Sequence, residues 1–222
     1  MKTIPILFST PMVQALLSGQ KTMTRREKGL KHLTDHYFQS LVLHATGRFT
    51  FVKNGLTNPK AEDVIEVKPP CMPGDILWVR EKHFAYGIWI KNGKTKTGKQ
   101  KWKFSKDMAY TSIAYFDNPP KQVLKNTERE VYGWFKRSSL FMPKEACRLF
   151  LKVKSVRVER LKDISRGDAM DEGCPFSNMA AGPNPVNWFS DLWKSINGEQ
   201  SWNDNPWVWV VEFEKTAKPD DF

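Results

Sequence analysis

The sequence predicts a mixed α+β chain, built on a curved, barrel-like sheet with short helices beside it. Three observations lead to that expectation. Short apolar runs of strand character dominate, at Ile4 to Phe8, Ile76 to Val79, Leu149 to Val158 and Trp207 to Phe213. Segments with helical spacing are few and brief. With 40% hydrophobic residues and nine tryptophans, 222 residues can fill a substantial core, which a disordered tail could not do.

Taken in order, Ile4 to Phe8 reads as a buried strand. Thr10 can cap a helix opening at Pro11, the position where a missing N–H costs nothing. Met12, Val13, Leu16 and Leu17 then recur at helical spacing, and Gly19 stops the helix. His32 to Leu43 is expected as a second helix, and Thr46 to Pro70 as mixed, polar chain with little periodicity. Cys71-Met72-Pro73-Gly74-Asp75 is a turn before the next strand. Lys91 to Lys106 holds seven lysines and no acid, the pattern of an exposed hairpin tip or a loop between strands. Its Trp102 and Phe104 alternate with lysine, which suits either base stacking or the inward side of a strand.

Further on, Leu149, Leu151 and Val153 share one face of a half-buried strand. Ser165 with Asp168 resembles a capping box opening a short helix that Gly173 closes. Cys174 to Val186, rich in proline and glycine, should be a loop, with a helix after it through Trp188, Leu192, Trp193 and Ile196. We expect one domain over residues 1–222, with insertions at about 46–70 and 87–140.

The net charge of +11 favours a polyanionic partner, nucleic acid above all. Cys71, Cys147 and Cys174 are odd in number and widely spaced, so neither a disulfide framework nor a paired zinc-ligand pattern is expected. No run of about eighteen apolar residues suggests a membrane span, and the opening residues lack a leader's apolar stretch. These features predict a cytoplasmic protein without cofactor or metal.

The most informative stretch for chemistry is Gly19-Gln20-Lys21-Thr22-Met23-Thr24-Arg25-Arg26. An amine and a hydroxyl three residues apart can act as base and nucleophile, and guanidiniums can hold an anion or polarise a carbonyl. A basic surface turn would read the same way. In a straight strand, moreover, positions 21 and 24 point to opposite faces, so Lys21 and Thr24 meet only where the segment bends or is helical.

These residues resemble the ASCH family, a branch of the PUA-like β-barrels. Gly19, Lys21 and Arg26 meet its glycine–x–lysine–x4–arginine motif, and Pro73 to Leu77, Leu161 to Gly173 and Trp209 to Phe213 resemble its later segments. Longer members, commonly phage-encoded, are similar also at Pro5 to Ser9, Leu77 to Glu81 and Asn205 to Trp209. The likeness spans roughly residues 4–26, 71–84 and 141–214 and leaves the lysine-rich middle unexplained. It implies a PUA-like mixed barrel. Small members include an amidohydrolase that deacetylates N(4)-acetylcytidine with a lysine, a threonine and a glutamate, which fall here on Lys21, Thr24 and Glu172. Other members bind RNA and some are ribonucleases, so a non-catalytic RNA- or DNA-binding module and a nuclease are the alternatives.

Around that triad, Arg25, Arg26, Arg80, Glu81 and Trp78 are candidate substrate contacts. Alternation along the strand lets only one of Arg80 and Glu81 face inward. Trp209 suits the core or a base, and His83 reads as structural. Lys94, Lys96, Lys99 and Lys101 are candidates for a nucleic-acid backbone. Glu172 is oddly placed: a carboxylate at a helix C-terminus is disfavoured by ~0.3–1 kcal/mol, which points to a role or to an ion pair.

Overall fold

The computed structural model describes residues 1–33, 37–43, 47–56, 58–106, 113–176 and 182–222. In chain order the elements are β1 (Thr3–Leu7), α1 (Thr10–Leu17), β2 (Met23–Arg26), β3 (Tyr37–Leu43), β4 (Phe49–Lys53), β5 (Val64–Val67), β6 (Ile76–Arg80), β7 (His83–Lys94), β8 (Gln100–Lys106), β9 (Ile113–Tyr115), β10 (Gly133–Arg137), β11 (Phe150–Arg160), α2 (Arg166–Asp171), α3 (Pro185–Asn197) and β12 (Trp207–Thr216). The chain is therefore mixed α+β and mostly strand. It divides into two compact units, one of residues 1–4, 15–77 and 149–222, the other of residues 5–14 and 78–148. Among the described residues none of the three sheets closes on itself, so the barrel expected from the sequence is not seen and the sheets are open.

The first unit is organised by β12. A five-stranded sheet runs β1–β6–β11–β12–β2, and β12 is antiparallel to both β11 and β2. Trp207, Val208, Trp209, Val210 and Val211 are all buried, because both faces of the strand are covered. Val208 and Val210 pack with Met23, Phe189 and Trp193 beneath α2 and α3. Trp207 and Trp209 turn the other way, meeting Phe51 and Phe49 of the β3–β4–β5 sheet edge to face at 5.2 and 5.1 Å. Period-two alternation thus sends valines to the helices and tryptophans to the second sheet. Trp209 is a core residue, its indole N–H donating to the Lys28 carbonyl at 3.1 Å.

Two expectations fail here. The helix expected over His32 to Leu43 is replaced by β3, which pairs with β4 from Tyr37↔Lys53 to Leu43↔Phe49; residues 34–36 and 44–46 lie outside the described residues. Its pairing partner lies beyond the sequence window, and tertiary pairing overrides local helical spacing. The stretch from Thr46 to Pro70, read as mixed and polar with little periodicity, contains β4 and β5. Phe49 to Val52 are buried at every position, which erases the alternation that would betray a strand. Of the loop expected at 174–186, residues 177–181 lie outside the described residues, and α3 already begins at Pro185 behind an Asn184 cap.

In the second unit, β7 is the common partner of β8, β9 and β10. The lysine-rich stretch is the exposed β7–β8 hairpin, as expected, turning through Thr95 to Lys99. No helix among the described residues is long and apolar enough to cross a membrane.

Gly173, which ends α2, sits at φ +96°, and a Cβ there would lie 2.9 Å from the Ala15 Cβ and 3.2 Å from the Lys21 Cβ. Gly173→Ala should therefore destabilise the protein by about 1–2 kcal/mol from backbone strain alone. Urea denaturation checks this; an unchanged midpoint would show that the segment adjusts freely.

Candidate active site

Gly19 (φ +77°) ends α1 and turns the chain back, so that the Lys21 N–H donates to the Ala15 carbonyl at 3.0 Å. Lys21 then forms an isolated antiparallel bridge with Glu172, just past α2. The N–H of Thr22 donates to the Asp171 carbonyl at 2.8 Å, while its own carbonyl accepts from the Phe213 N–H at 2.9 Å. The partner of this segment changes from the end of α2 to β12 within two residues. Regular alternation is interrupted there, and the β2 ladder starts at Met23.

Lys21 and Glu172 are each 3% exposed and directly paired. The lysine Nζ donates to Glu172 Oε2 at 2.7 Å and to the Glu172 carbonyl at 2.8 Å. That second bond accounts for the carboxylate at a helix end. The ammonium satisfies a terminal carbonyl and neutralises the adjacent side chain, so the unfavourable field is offset locally. The other carboxylate oxygen accepts from Arg25 at 3.3 Å. Burial pushes the Lys21 pKa below its ordinary value of 10.5; Glu172 works against that shift, and the charges of Arg26 and Arg25 add to it.

Arg25 has no side-chain exposure and is held by three carboxylates: Glu159 on β11, Asp168 on α2 at 2.8 Å, and Glu172. Its guanidinium also lies over the Phe189 ring, 5.7 Å from the centroid. Arg157 extends the network, bonding Glu159 at 3.1 Å, Asp168 at 3.2 Å and Glu212. Arg25 was expected to touch substrate. With its donors committed inside the protein, it instead holds Glu172 in place.

Thr24 is buried, and strand alternation puts it on the β2 face opposite Met23 and Arg25, beside Val211 in register. Arg26 is half-buried. Loss of water lowers its pKa while the nearby Glu172 raises it, so the three groups feel one another. The structure therefore joins Lys21, Glu172 and Arg25 by direct contact, with Arg26 in electrostatic reach.

Trp78, Arg80 and Glu81 belong to the second unit. Glu81 is buried in a two-point pairing with Arg148, at 2.9 and 3.0 Å, and Arg148 also grips Asp117. Burial opposes the charge on Arg148, but the two carboxylates outweigh it and its pKa is raised. Arg80 lies over Trp78 at 5.6 Å and donates to the Leu140 carbonyl. Glu81 faces inward and Arg80 is half-exposed, as alternation requires. His83 is buried and bonded to the Glu81 carbonyl at 3.2 Å. Lys94, Lys96, Lys99 and Lys101 lie on the β7–β8 hairpin, and all four are exposed.

Sequence reasoning missed Glu159, Asp168, Arg157 and Glu212. Arg157 and Glu159 stand two apart on one strand, a same-face pair legible from spacing. Asp168 passed for a helix-opening acid, which it also is, its N–H bonding the Ser165 hydroxyl at 3.0 Å. Among the described residues no group of three or more His, Cys, Asp or Glu side chains is arranged to hold a metal ion.

Removing Arg25 strands buried carboxylates, so Arg25→Met should lower the unfolding free energy by about 3–5 kcal/mol, measured in urea. Lys21 gives a pH signature. Between its lowered folded pKa and the unfolded value near 10.5, the unfolded chain binds more protons, so this group makes stability rise with pH. The stability difference between wild type and Lys21→Met should therefore widen from neutrality toward 10.5. A level difference would mean that Lys21 ionises as in a free chain.

No family model matches this chain, and no curated protein or solved structure matches it either.

Proposed function

We propose that the protein is an ASCH-type, PUA-like member that acts on an N-acylated nucleobase, removing an acyl group of the N(4)-acetylcytidine kind. The observation that supports this reading is the buried Lys21–Glu172 pair with its lysine held below the ordinary pKa. A surface lysine is charged at neutrality and cannot accept a proton; a desolvated one with cationic neighbours is drawn toward the neutral form. In the proposed reaction the Thr24 hydroxyl attacks the acyl carbonyl as its proton passes to Lys21 Nζ. The C–N bond then breaks, and the cytosine amine leaves with the proton returned by Lys21. Water next cleaves the ester on Thr24, releasing the acid. Glu172 orients the lysine, Arg25 fixes Glu172, and Arg26 is the candidate contact for the developing oxyanion. Thr24 stands on the β2 face opposite Arg25, so the reaction requires the chain to bend between Lys21 and Thr24, where the segment changes its backbone partner at Thr22.

A second reading, an RNA- or DNA-binding module, is favoured by the distribution of charge. The second unit carries 16 lysines and arginines against 6 acidic residues, so it holds +10 of the net +11. Lys94, Lys96, Lys99 and Lys101 on its hairpin would hold phosphates.

Incubation with N(4)-acetylcytidine, free and within RNA, followed by mass spectrometry, tests the first reading. Turnover should fall at least about a hundredfold in Thr24→Ala and in Lys21→Met, and Thr24→Ser should retain it. The rate should rise with pH through a lysine pKa lying below 10.5. Absence of turnover in the wild type ends the hydrolase reading. Full activity in Thr24→Ala would transfer the attack to water.

A further inference from the structure

In the second unit, the two faces of the β7–β8–β10 sheet differ in kind. Register places Trp89, Phe104 and Phe135 on one face, where they meet edge to face and Phe135 is fully buried. Arg137 lies over Phe104 at 4.2 Å and over Trp89 at 4.8 Å, and Arg129 over Trp102 at 5.3 Å. Trp102 and Phe104, which the sequence offers as stacking residues, are thus committed to the protein's own arginines.

The opposite face is different. Tyr86 and Trp134 stand directly across from each other in the ladder, rings 5.7 Å apart and edge to face. Tyr132 lies nearly parallel to Tyr86 at 6.5 Å and is 55% exposed. Lys103, paired in register with Ile90, falls on this face, and alternation adds Lys101 two residues before it and Lys136 two after Trp134. All three lysines are exposed, and among the described residues none has a carboxylate within ion-pair distance; the Lys136 ammonium lies over the Phe116 ring, 5.0 Å from its centroid. The face therefore combines partly exposed rings with uncompensated cations, in the unit that carries nearly all of the excess charge.

We propose that this face is a platform for single-stranded nucleic acid, with unpaired bases stacking on Tyr86, Tyr132 and Trp134 and phosphates held by Lys101, Lys103 and Lys136. Charge complementarity selects a polyanion, and the rings select one whose base faces are free, which a duplex does not offer. The inference rests on the polymer-binding reading and deepens it, moving the contact from the hairpin tip to a sheet face.

Fluorescence anisotropy on the full chain tests it with a labelled single-stranded RNA of about 12 nucleotides, the same sequence as DNA, the corresponding duplex, and anionic lipid vesicles. Tyr132→Ala should weaken single-strand binding between about fivefold and about a hundredfold, and leave the slope of log K against log salt unchanged. Tyr132→Phe should bind as the wild type does, and circular dichroism confirms that both variants are folded. Replacing Lys101, Lys103 and Lys136 by Gln should lower the salt slope by about two. Wild-type affinity in Tyr132→Ala, or equal affinity for duplex or vesicles, overturns the platform. If Lys94→Gln/Lys96→Gln/Lys99→Gln abolishes the same binding, the polymer-binding reading survives without it. No retention of any nucleic acid ends both.

Discussion

A guanidinium with no access to water governs the first unit. Arg25 stands on a strand of four residues, too short to hold itself in place, and three carboxylates from β11 and from in and just beyond α2 converge on it. Taking that charge out of water costs several kcal/mol, which only a nearly complete set of acceptors offsets. Helix, strand and bridge must therefore all be in position together. The same demand fixes Glu172, and through Glu172 it fixes Lys21. The depressed lysine pKa is thus a property of the packing, and would not survive a loosened α2.

Charge is divided along the chain as sharply as structure is. The first unit holds 19 basic and 18 acidic residues, with its buried cations internally compensated, whereas the second carries the surplus. A near-neutral unit with a desolvated lysine suits chemistry on one small group. A strongly cationic unit suits long-range capture of a polymer, weakened by salt. The two proposals fall on separate stretches of sequence, and each can fail without the other.

How much was legible in the sequence depended on how local the cause was. Gly19, Ser165 and Gly173 act within a turn of where they stand, and each performs the part its type implies. Lys21 and Glu172 were paired by resemblance to a family, since 151 residues separate them. The strand at Tyr37–Leu43 was misread because its partner decides it, and β4 was missed because burial on both sides removes alternation. Arg25 was assigned outward to a substrate for a related reason: spacing tells which face a residue takes, but only the fold tells what already occupies that face.

The register of β2 carries one further consequence, for the order of events during synthesis. Met23 to Arg26 pair with residues 209–212, nearly the whole chain away. No ribosome-bound intermediate lacking residues 209–212 can close that ladder, so the strand that carries Arg25 stays unpaired until translation has passed residue 212. Whatever depends on Arg25 being held in place therefore waits for the docking of residues 209–212.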